Sequence, residues 1–81
     1  MEKELILTGY KSGTSKSNKK YYKLTFITPP VVSKDKDFAY SSEITVFTEE
    51  EKYYDFIKKN GLLQKVPVKF EVNGDKVRYY L

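Results

Sequence analysis

Cysteine and histidine are both absent from this 81-residue chain. Without cysteine there is no disulfide framework, no thiolate metal site and no thiol nucleophile. Without histidine the commonest general base and the commonest metal ligand are gone together. No carboxylate constellation and no phosphate-cradling glycine loop replaces them, so the chain does not read as an enzyme and no cofactor or metal is expected. Apolar runs are short, none nearing the roughly 20 residues of a membrane span. The opening MEKELILTGY carries acids and too brief an apolar stretch for a signal peptide, and the expected location is the cytoplasm. The length leaves room for one small domain over residues 1–81, burying about 60% of the surface of its unfolded chain.

What the chain does have is lysine and tyrosine. Fifteen basic residues, all but Arg78 lysine, face eleven acidic ones for a net charge of +4, and eight tyrosines are present. A lysine surplus by itself is ordinary surface chemistry. The distribution is less ordinary: residues 11–23 hold five lysines and no acid, whereas Glu49, Glu50, Glu51 and Asp55 crowd together later. The two ends of the molecule are therefore expected to differ in potential.

The stretch GTSKSNKKYYKLTFIT, residues 13–28, combines a turn, a basic cluster and an aromatic strand. Gly13, Ser15, Ser17 and Asn18 tolerate turns; Tyr21, Tyr22, Leu24, Thr25, Phe26 and Ile27 suit a pleated surface. Alternation places Tyr22, Leu24 and Phe26 on a core face and Tyr21, Lys23 and Thr25 on the other. The second set pairs a ring with a cation beside Lys11, Lys16, Lys19 and Lys20, which is the chemistry a single-stranded nucleic acid requires.

Before it, residues 3–12 read as a first strand with Leu5 and Leu7 on one face and Ile6, Thr8 and Tyr10 on the other, and Gly9 suggests a bulge or bend. After it, Pro29 and Pro30 end the strand. The loop to Tyr40 carries Val31, Val32, Phe38 and Tyr40, and two readings stay open: a ligand grip or packing back on the domain. A third strand, about Ser42–Phe47, turns Ile44 and Val46 inward and Thr45 and Phe47 outward. Thr48 with Glu51 forms a capping box opening a helix that Lys58 and Lys59 favour and Asn60-Gly61 ends. Its apolar stripe is Tyr53, Tyr54, Phe56 and Ile57, with Leu62 and Leu63 continuing the burial. Residues 66–72 alternate cleanly, Asn73-Gly74 marks a tight hairpin, and the final strand points Lys76, Arg78 and Tyr80 outward. Tyr22, Tyr53, Tyr54 and Tyr79 read as core or core-edge residues; Arg78 and Tyr80 serve equally well as ligand contacts or as exterior cover.

The element order, three strands, a helix, two strands, fits a mainly β fold: a five-stranded barrel with its helix between strands three and four, the OB-fold arrangement. LILTGY followed by GTSKSNKKYYKLTFIT also resembles the opening of single-stranded DNA-binding OB domains of phages and mobile elements, including the helix-destabilising proteins of filamentous phages. The resemblance covers the first two strands in sequence and the whole chain in element order. It implies sequence-tolerant binding of single-stranded DNA in replication or recombination, commonly as a homodimer, with Tyr21 and the first-hairpin lysines in contact. The helix at Thr48–Asn60 looks more like the bacterial and phage replication type, and Leu81 is not followed by an acidic tail, which puts tail-dependent recruitment in doubt. The expected nucleic-acid face comprises Tyr10, Lys11, Lys16, Lys19, Lys20, Tyr21, Lys23, Phe47, Arg78 and Tyr80. A protein-interaction or structural accessory subunit, pairing through residues such as Ile6 and Ile27, is the alternative from another class; RNA binding shares the same face.

Overall fold

Alternating apolar residues supply one buried row per strand, and the strands fold so that these rows meet. The computed structural model describes every residue, Met1–Leu81. Its elements are β1 (Glu2–Thr14), β2 (Lys20–Ile27), β3 (Val31–Val32), β4 (Ala39–Tyr40), β5 (Glu43–Thr48), α1 (Glu50–Lys59), β6 (Lys65–Asn73) and β7 (Lys76–Tyr80). The main sheet has the order β5-β2-β1-β6-β7, every neighbouring pair antiparallel, so β5 and β7 at its edges run in the same direction. Those edges approach each other without hydrogen-bonded pairing. The result is a nearly closed, five-stranded, barrel-like sheet with one helix. No helix is long and apolar enough to cross a membrane.

The interior is small. Leu5, Leu7, Leu24, Phe26, Val46, Val66 and Val68 fill it from four strands, and Tyr53 enters from α1. Phe56 and Ile57 pack against this cluster from the same helix, with the Phe56 ring edge-on to Phe26 at 5.8 Å. A compact chain of this length has a radius of gyration near 12 Å; the observed 14.5 Å and the extents of 49 × 32 × 26 Å show that parts of the chain project beyond the barrel. Two ribbons do so: the far ends of β1 and β2, which form an arm, and the β3–β4 flap.

Several local expectations are corrected by tertiary contacts. Thr48 is not a helix cap: it is the last residue of β5, held opposite Tyr22, and Glu49 takes the N-cap position without a side-chain hydrogen bond. Leu62 and Leu63 are exposed, because the chain leaves α1 through a turn in which Leu63 adopts φ 65° and its N–H reaches the Leu7 carbonyl. The β6–β7 turn is shifted by one residue. Asn73 pairs with Lys76, so Gly74 and Asp75 are the central residues, and only Gly74 has positive φ (65°), the signature of a turn with glycine at its first central position. Residues 31–40, expected to be a loop, form the β3–β4 ribbon, clasped at its base where the Thr28 N–H donates to the Ser42 carbonyl. Pro67 is tolerated inside β6 because β7 pairs with that strand only from Lys69 onward.

Candidate nucleic-acid interface

The decisive local event lies in β1. Leu7 pairs with Phe26 but Gly9 pairs with Thr25, so Thr8 is the extra residue of a bulge. Its hydroxyl donates to the Thr25 carbonyl at 3.2 Å. One inserted residue inverts the parity of all that follow. Tyr10, expected beside Ile6 and Thr8, instead pairs with Leu24 on the core-facing side and lies edge-on to Tyr53 at 6.2 Å. Lys11 turns to the outer face in its place.

That face now carries a continuous row. Lys11 of β1 is directly opposite Lys23 of β2, which is directly opposite Phe47 of β5. Phe47 is 67% exposed, far more than a ring needs for packing. The neighbouring row is Gly13 and Tyr21. A side-chain carbon placed on Gly13 would stand 2.8 Å from the Tyr21 hydroxyl, so the half-buried ring lies across the bare glycine backbone. On the opposite flank Thr25 and Thr45 pair, leaving the centre of the face without a carboxylate. Two lysines facing each other across an antiparallel pair destabilise it. The sheet retains that repulsion between an exposed Lys11 and a half-buried Lys23.

The arm extends this face. Asn18 N–H donates to the Ser15 carbonyl and Ser15 N–H to the Lys19 carbonyl, closing the tip with Asn18 at φ 61°, a conformation asparagine accepts more readily than most residues. Lys16 and Lys19 are exposed there. Lys20 is different: it pairs with Thr14 on the inner side, lining a groove of about 240 Å³ with Ser12, Tyr22, Glu50 and Tyr54. The acids of α1 are thus not confined to a remote end, as their place in the sequence suggests; the first helical turn lies under the arm. The arm consequently has an acid-free outer side and a mixed inner one.

The inner side holds neutral tyrosines. Burial raises the Tyr22 hydroxyl above its ordinary value, and the Glu50 carboxylate pushes in the same direction. Burial likewise raises Tyr53, opposed in part by a hydrogen bond to Ser12. Their rings, with Tyr54, form a packed group at 5.1–6.1 Å spacings. Tyr22 and Tyr53 are structural aromatics that stay protonated at neutral pH.

A second feature adjoins the row. Phe47, Glu49, Lys52, Glu71, Arg78 and Tyr80 line an open cleft of about 460 Å³ where the sheet edges approach. Phe47 is brought here beside Arg78 and Tyr80, which lie on a strand distant from it in sequence, and Phe47 belongs to both cleft and row. Arg78 also reaches Glu71 at 3.8 Å, an exposed ion pair of the kind that contributes little, about 0–1 kcal/mol. Lys52 has no signal in the sequence; its place beside the cleft depends on how α1 docks, which no local pattern reveals.

Of the expected residues, Lys11, Lys23, Tyr21 and Phe47 share the outer face, Lys16 and Lys19 its projecting tip, and Arg78 and Tyr80 the cleft at its margin. Tyr10 and Lys20 fall on the opposite side. Comparison with protein-family models, with curated proteins and with solved structures finds no match to this chain.

Proposed function

We propose that the chain is an OB-fold domain that binds single-stranded DNA with little sequence preference across the outer face of β1, β2 and β5. The sheet order, with β1 paired to both β2 and β6 and α1 following β5, supports the fold reading. The observation that carries the functional one is the Lys11–Lys23 juxtaposition flanked by Tyr21 and Phe47. A violated pairing rule at an open surface is where function is expected, and a phosphate lying between the two ammonium groups converts their repulsion into attraction. Tyr21 and Phe47 offer rings for bases, each stack contributing about 1–3 kcal/mol. Lysine suits this role, because a point charge on a flexible stem follows a backbone rather than reading base edges.

The test separates binding from packing by sign. Lys11→Thr removes the like-charge pair, so the free protein becomes more stable by a few tenths of a kcal/mol up to about 1, whereas affinity for oligo-dT falls. Titrating tyrosine fluorescence with oligo-dT at two salt concentrations reads the second effect and thermal unfolding the first. Binding that is absent in dilute buffer, or unaffected by replacing both Tyr21 and Lys23, overturns the proposal. Matched RNA oligomers in competition decide which polynucleotide is preferred.

A further inference from the structure

The β3–β4 flap is the part of the molecule that the proposed DNA face does not use. Val31 is the cross-strand partner of Tyr40, and Phe38 lies two residues before Tyr40, so the three share one side of the ribbon. The Phe38 and Tyr40 rings stack on each other at 6.4 Å and 19°. Val31, Val32, Phe38 and Tyr40 are 49–58% exposed, and none of them packs against the barrel core. A two-stranded ribbon with strands of two residues is marginal by itself in water. Its unpaired edges and uncovered apolar side both favour further pairing.

The tip of the flap indicates what covers it. Its sequence is Lys34-Asp35-Lys36-Asp37, net neutral in a chain of net charge +4. In a two-fold contact the same patch meets itself, one copy antiparallel to the other. That arrangement sets Lys34 against Asp37 of the second copy and Asp35 against Lys36 of the second copy, so all four charges in each tip face the opposite sign. A polyanion would meet two carboxylates here. An unrelated partner gives no reason for an alternation that is complementary to itself.

We propose that the flap is a self-association surface through which two copies of this chain meet about a two-fold axis, apolar side against apolar side, with the alternating tips in register. This surface is independent of the outer-face lysines, and its failure would leave the DNA-binding proposal standing. The register matters more than the charge count: a single sign change within it opposes both symmetric copies of the contact.

Asp37 is held within its own flap, where the Ser33 hydroxyl donates to its Oδ1 at 2.6 Å, so the test alters its neighbours instead. Asp35→Lys sets an added ammonium group of one copy against Lys36 of the other; Lys36→Asp sets two carboxylates together, and aspartate accepts the φ of 57° found at this position. Sedimentation equilibrium on the full chain is run from roughly 1 μM to 1 mM, the range in which a small interface dissociates. The wild-type mass is expected to rise from one chain toward two. Each variant alone is expected to stay at one chain, and an equimolar mixture of Asp35→Lys with Lys36→Asp to regain a heterodimer visible by native mass spectrometry. That recovery cannot arise from misfolding. A wild-type protein that remains a single chain throughout, variants that associate as the wild type does, or a mixture that stays monomeric overturns the proposal.

Discussion

The arm and the flap are the same device built twice from different residues. Each is an antiparallel ribbon projecting past the core, and each closes through a turn holding one non-glycine residue in the left-handed region, Asn18 at φ 61° and Lys36 at φ 57°. Their chemistries diverge. The arm carries lysines without an acid on its outer side; the flap carries alternating charges over an apolar face. The barrel between them has only eight buried residues, so neither ribbon is needed to fill it, and each is free to answer to a partner.

The largest effect available is the loss of both ribbons at once. Phe26→Ala removes the largest fully buried side chain from the centre of the cluster, costing about 3–5 kcal/mol out of a total of about 5–15. Urea denaturation should show a midpoint shifted strongly downward, with oligonucleotide binding and self-association lost together.

Smaller changes should separate the two. Replacing Lys16 and Lys19 by alanine removes two exposed cations from the arm, so the dependence of log affinity on log salt should become shallower by about 1.4. The flap variants should leave that slope unchanged, and the arm variants should leave the mass distribution unchanged. A flap variant that flattens the salt dependence would dissolve the distinction.

The turns offer a finer comparison. Asparagine accepts a left-handed backbone and lysine does so poorly, so Asn18→Ala should cost about 1–2 kcal/mol of local stability in the arm. Lys36→Gly should lengthen amide-exchange protection in the flap. Hydrogen exchange read residue by residue distinguishes the two outcomes.

The smallest effect lies in pH dependence, on the inner side of the arm. The raised pKa of Tyr22 means that the folded state keeps its proton longer than the unfolded state does. Above the ordinary tyrosine value of 10.0 the unfolded chain loses protons first, so the stability from this residue is fully present below that pH and declines as pH rises toward the folded value. Tyr22→Phe should therefore soften the alkaline fall in melting temperature.

Much of this architecture is legible in the chain. The alternation in β2 assigns Tyr22, Leu24 and Phe26 to the interior because side-chain direction in an uninterrupted strand depends only on parity, and the same holds for Val66 and Val68. The helix follows from its acidic first turn, its basic last turn and its aromatic stripe. The failures are equally specific. Thr48 has the local pattern of a cap, but its place in the ladder beside Tyr22 takes precedence. Leu62 and Leu63 have the chemistry of buried residues; a backbone hydrogen bond to Leu7 sets their turn instead. Tyr10 lies on the side opposite to the one its spacing implies, because parity cannot be carried across a bulge whose position depends on the partner strand.

The order of turns, strands and helix, and the side each residue takes within an unbroken segment, were written in neighbouring residues, because backbone geometry and the period of the hydrophobic pattern act over a few positions. The opposition of Lys11 and Lys23 and the meeting of Phe47 with Arg78 and Tyr80 arose only when distant segments paired. Register across strands is a contest among non-local contacts, and a single inserted residue at Thr8 was enough to set Lys11, not Tyr10, on the outer face.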